Sequence, residues 1–385
     1  MKESISIKNF GPVSNVEISD IKPLTVFIGG SATGKSTILK VIALFRYILK
    51  LGCIRSYLHH SKVSRSPFRL DFRKLIKENG LDSMVKGDTE VRYTFYGKSG
   101  EAYSVVYANR KLSVPAVSAE DLVFLKGCFI TENRNAISSW LGNGLVRHGI
   151  QFGYYFNETL ELFLSAAEQL KEVELPFINV KFVQKRLANG SKIFNLVPSS
   201  PDKDSFRLKE ASSGMKTTVP LAVIARYMSE DFSFEDAFNR SVLDYVTRSG
   251  RIGDFRPIGG IDNFERVVSL HVEEPELSLD PDSQMMLMEF LIDNMFHGHH
   301  THESYLMFAT HSPYIVNYLN LLMAKYESDP RLGIRPDDVS VYLTQHDGTI
   351  HSVMVIDEHD RWVVDSSALA EQVESIYTEY ATLRR

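Results

Sequence analysis

The sequence predicts an α/β fold with a central, mostly parallel sheet, an antiparallel β-subdomain and a helical insertion. Three observations carry this. The apolar run Leu24-Thr25-Val26-Phe27-Ile28 passes through a glycine-rich loop into a helical run, Ile38 to Phe45, which is the strand–loop–helix order of an α/β unit. A second apolar strand, Val267 to Val272, ends on the acids Glu273-Glu274-Pro275-Glu276. Between the two lie stretches of period-two alternation about glycine turns and one long helical stretch.

Taken in order, Ser4 to Ile28 alternates like strands, with Asn9-Phe10-Gly11-Pro12 as the first turn. A basic stretch follows the loop's helix: Arg55, Lys62, Arg65, Arg69, Arg73, Lys74 and Lys77, with Tyr57, Phe68 and Phe72 among them. Glu90 to Tyr96 and Ala102 to Tyr107 alternate about Gly97-Lys98-Ser99-Gly100 and form a hairpin. Leu122 to Ile130 is an apolar strand running into Thr131-Glu132-Asn133-Arg134-Asn135. Ala136 to Glu174 reads as helical from Leu160, Leu162, Phe163, Ala166 and Leu170. Phe177 to Gln184 and Lys192 to Val197 make a second hairpin about Ala188-Asn189-Gly190-Ser191. Leu221 to Met228 is helical, whereas Ser229 to Asn263 is polar and poorly periodic and reads as a surface insertion. Ser283 to Asn294 is a helix; Tyr305 to Ala309, Val339 to Leu343 and His351 to Ile356 are strands; Ser366 to Thr382 closes with a helix.

The 385 residues, 44% hydrophobic and 24% charged, supply ample core for about two domains. A net charge of -5 gives no global sign of nucleic-acid binding, and a local basic face stays open. Cys53 and Cys128 make no metal-ligand pair and fit a reduced compartment. Met1-Lys2-Glu3-Ser4 opens no signal-like segment, and no apolar run approaches the ~20 residues of a membrane span. A soluble cytoplasmic protein without a membrane partner is expected. His59-His60 and His299-His300 lack a surrounding ligand cluster and read as surface residues.

Five segments bear chemistry. Gly29-Gly30-Ser31-Ala32-Thr33-Gly34-Lys35-Ser36 matches the phosphate-binding pattern G-x-x-x-x-G-K-[ST], and Thr37 follows it. Its backbone N–H groups would cradle a triphosphate at the helix N-terminus, with Lys35 on the β- and γ-phosphates and Ser36 on Mg²⁺. A ligand-free glycine turn is the plainer alternative. At the strand end, Glu273 would hold Mg²⁺ and Glu274 would activate water, since hydrolysis asks for a second acid; a plain acidic helix start is the alternative. Ser212-Ser213-Gly214 opens a helix and offers a second anion site, or equally a simple Ser cap. Thr310-His311-Ser312-Pro313 follows a buried strand, where His311 could reach a γ-phosphate or serve as a packed or capping residue. Asp280, in Leu277-Ser278-Leu279-Asp280-Pro281, could cap the next helix or contact a second subunit.

Together these segments resemble an ABC-type ATPase of the SMC-like and OLD-nuclease-like group, found among bacterial AAA-like ATPases. Ile7-Lys8-Asn9-Phe10-Gly11-Pro12 through Ser36-Thr37 is similar to that group's first strand and Walker A. Val272-Glu273-Glu274-Pro275-Glu276-Leu277-Ser278-Leu279 resembles its Walker B and D-loop, Ala211-Ser212-Ser213-Gly214 its signature, and Thr310-His311-Ser312-Pro313 its H-loop. Ser213 stands where a glycine is usual, and Glu273 replaces the Asp of transporter cassettes. Glu132-Asn133-Arg134 sits where that group often has a Q-loop or an acid–arginine segment, and no glutamine stands there. The resemblance implies a P-loop ABC-type ATPase head with ATP and Mg²⁺. Residues 1–135 and 211–385 would be its two halves and 136–210 an insertion. It implies a homodimer, or a higher oligomer of head-to-tail dimers, with ATP between Lys35 of one copy and Ser212–Gly214 of the other.

No heptad-bearing arm interrupts the cassette, and few residues follow the H-loop strand, too few for a fused TOPRIM nuclease domain. The resemblance therefore implies a sensor or regulator for a separate effector, a nuclease or toxin, in bacterial anti-phage defence. The basic run from Arg55 to Lys77 could bind nucleic acid, with Tyr57 and Phe68 stacking on bases, or form a solvated helical lid. A RecF-like DNA repair or recombination ATPase is the first alternative. An assembly scaffold that needs ATP without hydrolysing it is the second, and Glu274 speaks against it.

Overall fold

The computed structural model describes residues 1–63, 70–140, 154–188, 190–248, 253, 255–298, 301–367 and 377–383. Arg65, Phe68, Arg69, Asn189, His299 and His300 lie outside them, as do 141–153 and 368–376 of two expected helices.

Alternating burial starts the chain. β1 (Lys2–Phe10) and β2 (Val13–Ile18) pair about Gly11, with Ile5, Ile7, Val16 and Ile18 turned inward. β3 (Leu24–Gly29) is buried at all but its last position and feeds α1 (Lys35–His60). Then come α2 (Phe72–Glu78), β4 (Val85–Tyr96), β5 (Ala102–Ala108), β6 (Lys111–Ser113) and β7 (Val123–Ile130). α3 (Ala136–Trp140) and α4 (Tyr154–Leu170) precede β8 (Glu172–Leu175), β9 (Val180–Arg186), β10 (Lys192–Pro198) and β11 (Phe206–Arg207). α5 (Ser213–Arg226), α6 (Phe234–Arg248), β12 (Glu265–Glu273), α7 (Pro281–Phe296), β13 (Glu303–Thr310) and α8 (Pro313–Ser328) come next. β14 (Val339–Thr344), β15 (Ile350–Ser352), β16 (Met354–Ile356) and β17 (Trp362–Val364) complete the strands.

Among the described residues the central sheet has the order β15-β14-β3-β13-β12-β7, parallel except for β15 at its edge. An antiparallel sheet, β2-β1-β4-β5-β6, and a smaller one, β11-β10-β9-β8, accompany it. The expected α/β class with a mostly parallel centre and an antiparallel subdomain is therefore the observed one. The register aligns the strand ends: Glu273 pairs with Ala309, and Ala309 with Phe27. β12, β13 and β3 thus end together and deliver their following residues to one edge of the sheet, as the carboxyl ends of parallel strands do in α/β sites.

α1 is buried along most of its length and packs on β3, β7, β12 and β13. Arg46 in its middle is 2% exposed, with its guanidinium on the Glu3 carboxylate of β1 and on Ser269 Oγ of β12, while Tyr93 of β4 donates to the same Glu3. This buried group joins the two large sheets through α1.

Three expectations need correction. Glu172 to Glu174 is strand, not helix: Lys171 turns at φ +58°, and Val173 and Leu175 alternate inward against β9. Ser229 to Asn263 is no simple surface insertion. Its Phe234, Phe238, Val242 and Val246 recur every four residues on α6, all buried, and Phe238 lies edge-on to Tyr57 and Phe124. His351 to Ile356 divides between two sheets at the buried Val353.

Candidate active site

The residues on either side of the phosphate loop set its shape. Gly34 turns at φ +98°, a conformation that side chains rarely take, and so starts α1 directly after the loop. Ala32 shares the left-handed region at φ +62°, a local strain typical of ligand-gripping loops. Lys35 is 5% exposed, and its Nζ donates to the carbonyls of Gly29 at 2.8 Å and Gly30 at 2.6 Å. Burial lowers its pKa, against the pull of Glu274 and Glu276. Thr33 donates to Gly30 O at 2.8 Å and meets the Thr344 hydroxyl of β14 at 2.5 Å. Ser31 is exposed and Ser36 half-buried, while Thr37 is buried with its hydroxyl 3.8 Å from Met84 Sδ.

Glu273, the last residue of β12, is 3% exposed. Its Oε1 meets Lys40 Nζ at 3.0 Å, and its Oε2 has no assigned hydrogen-bond partner among the described residues. Burial and the neighbouring Glu132 carboxyl push Glu273 up, and the same neighbourhood holds Glu132 down. The buried Glu273 carboxylate, with Oε2 unpartnered among the described residues, and the exposed Glu132 carboxyl near it suit a hard cation. With the Ser36 hydroxyl these carboxyl oxygens fit the oxygen donor set of Mg²⁺. Among the described residues no group of three or more His, Cys, Asp or Glu could hold a metal alone.

Glu274 has φ +45°, unusual for a non-glycine residue. Its N–H donates to Ala309 O at 2.8 Å, and its Oε1 lies 3.8 Å from His311 Nε2. Both side chains are about two-fifths exposed, at 38% and 39%. Glu276 accepts from the His311 N–H at 2.8 Å. Ser312 caps α8 through Ile315 N, which leaves His311 free of the capping role.

Ser212 caps α5, accepting from Met215 N at 3.4 Å, and Ser212 and Ser213 are exposed. Gly214 is buried, and a Cβ there would stand 2.7 Å from the Ser278 carbonyl, so only glycine lets α5 press on the turn after the acids. Within one chain the hydrogen bonds described for these three residues stay inside α5. Asp280 caps α7, accepting from Ser283 N at 3.1 Å and Ser283 Oγ at 2.7 Å.

Three residues of this edge are not among the site residues expected from the sequence. Glu132 stands there only as part of a segment without a glutamine. Arg134 lies fully buried beneath the acids. His346, in the loop after β14, places Nε2 3.4 Å from where a Cβ on Gly30 would stand. No spacing signal ties any of them to the phosphate loop, because β7 and β14 reach it only through the sheet. The base-stacking role considered for Tyr57 is excluded: its ring is 1% exposed and packs on Phe238 and Phe264. Phe72 is likewise buried and stacks on Tyr107.

Residues 1–86 match the family model described as an AAA ATPase domain, a span that holds the phosphate loop. No curated protein matches the chain. Among solved structures, an SMC head bound to the C-winged helix domain of ScpA shares 11% identity at TM-score 0.37, over 91% of this chain and 97% of that one. The recombination mediator RecF of the RecFOR pathway shares 11% at TM-score 0.34, over 92% and 98%. A dimeric ATP-binding cassette in a post-hydrolysis state, bound to ADP and Pi, shares 11% at TM-score 0.29, over 90% and 96%. Likeness this loose carries no assignment of function. Among the described residues no helix is long and apolar enough to cross a membrane.

Proposed function

We propose that this chain binds ATP with Mg²⁺ at the phosphate loop and hydrolyses it, as an ABC-type ATPase head. The observation that supports the reading most is the shared end of β3, β12 and β13, where Lys35, Glu273, Glu274 and His311 come to one edge. The AAA ATPase match over residues 1–86 agrees with it. In this reading residues 1–135 and 211–385 are the two halves of the head, and 136–210 is an insertion.

Gly29 to Ser36 hold the phosphates, and Lys35 exchanges its carbonyl partners for phosphate oxygens. Ser36 and Glu273 hold Mg²⁺, which when bound neutralises charge on those oxygens. Glu274 accepts the proton of the attacking water as general base, with His311 beside it. The Ser212–Gly214 turn, exposed at Ser212 and Ser213, faces the nucleotide of a second copy across a head-to-tail dimer, with Asp280 at the same interface, so that hydrolysis loosens the pair. The family resemblance supports a cytoplasmic sensor or regulator for a separate effector, a nuclease or toxin, in anti-phage defence.

Glu274→Gln is expected to trap an ATP-bound dimer and Lys35→Ala to abolish nucleotide affinity, read by light scattering and equilibrium binding. A Glu274→Gln protein that stays monomeric in saturating ATP and Mg²⁺ overturns the dimer mechanism.

A further inference from the structure

Arg134 follows β7 in a single turn of 3-10 helix, Glu132–Asn135, and is 0% exposed. Four acids surround it, yet its guanidinium bonds only to backbone carbonyls. Nη1 donates to Glu273 O at 2.6 Å and to Thr131 O at 3.1 Å, Nη2 to Glu274 O at 2.6 Å, and Nε to Thr217 O at 3.1 Å. Burial draws its pKa down to about 10, which leaves it charged at neutral pH.

Those four oxygens belong to three places that matter. Glu273 and Glu274 are the consecutive acids at the end of β12, the second just past the strand. Thr217 lies one turn into α5, behind Ser213 and Gly214. Thr131 closes β7 beside Glu132. A planar fork can hold two successive carbonyls and a third from another element at once, which a lysine ammonium cannot do with the same geometry. Glu274 needs such a hold, since its φ of +45° persists only where the surroundings over-determine it. Gly214 adds an independent tie, with its absent Cβ allowing α5 to touch Ser278 just past the acids.

We propose that Arg134 is a positioning residue: it fixes the backbone of Glu274, so that the carboxylate is aimed at water, and locks that geometry to the amino end of α5. The role in hydrolysis rests on the ATPase reading above; the lock itself does not.

The test compares wild type with R134K and R134A. ATP affinity is measured with a fluorescent ATP analogue, kcat and KM by phosphate release, and hydrogen exchange on peptides covering 271–279 and 212–220. R134K is expected to lower kcat by about 100-fold, the effect of a ~1 Å misplacement, with KM and affinity within about threefold of wild type. Exchange should rise in both peptides together. Wild-type kcat in R134K, or affinity lost in step with kcat, overturns the proposal, as does exchange that rises in one peptide alone. Should R134A fail to fold, R134K, which keeps the charge and most of the stem, carries the decision. Should the wild type not hydrolyse ATP, the ATPase reading fails, and the paired exchange still decides whether Arg134 locks the acids to α5.

Discussion

The buried group of Glu3, Arg46 and Tyr93 is where a single change should cost most. Arg46→Met keeps much of the stem volume and removes the charge. Glu3, at 0% exposure, is then left with the Tyr93 hydroxyl as its remaining side-chain donor among the described residues, and Ser269 loses the Nη1 donor. Breaking a buried pair from one side costs about 3–5 kcal/mol, because the surviving charge is uncompensated. Glu3→Gln keeps an acceptor for Tyr93 and leaves the guanidinium unpaired, at a similar cost of about 3 kcal/mol. In the double variant neither charge remains, so the combined loss should fall short of the sum by about 2 kcal/mol or more. Burial opposes the Arg46 charge and Glu3 outweighs it, raising the Arg46 pKa, which is the same coupling seen from the protonation side. Urea unfolding of the four proteins, followed by far-UV circular dichroism and tryptophan fluorescence, measures each term. An Arg46→Met loss below about 1 kcal/mol, or a double variant whose loss equals the sum, would refute the claim that this pair joins the sheets.

Two further changes probe other parts of the molecule. Asp121 accepts from Ser99 N, Ser99 Oγ, Tyr103 and Ser118; burial pushes its carboxyl up, but those bonds prevail and its pKa is about 2. Folding is therefore stabilised above pH ~4, and the gain of about 2 kcal/mol is lost as pH falls from ~4 to ~2; in Asp121→Asn the acid limb of an unfolding titration should flatten. Gly29 has φ +147°, and a Cβ there would stand 2.4 Å from Thr344 Oγ1 and 2.6 Å from Thr344 O. Gly29→Ala should cost about 2–4 kcal/mol of stability and weaken ATP binding at least tenfold, and an unchanged binding isotherm contradicts this placement of the loop.

The sequence by itself determined the strands that carry the candidate site and the residues at their ends. Leu24 to Ile28 and Val267 to Val272 are apolar at nearly every position because both faces of a parallel strand are covered, so they were legible as buried strands next to chemistry-bearing turns. Period-two alternation likewise located the hairpins of β4 with β5 and β9 with β10. The α6 stripe of Phe234, Phe238, Val242 and Val246 stands in the sequence at helical spacing, but polar neighbours and flanking glycines hid it, and the stretch read as a surface insertion. Only the tertiary structure decided which strand ends meet. The order β14-β3-β13-β12-β7 brings together residues that are up to some three hundred positions apart, and no local spacing encodes that neighbourhood. It placed Glu132 near Glu273, His346 beside Gly30 and Thr344 on Thr33. It also turned Arg134 from a charged residue after a strand into the buried clamp on both acids. The reason is physical: periodicity reports which face of an element is dry, whereas partners across a sheet are chosen by packing the whole core at once.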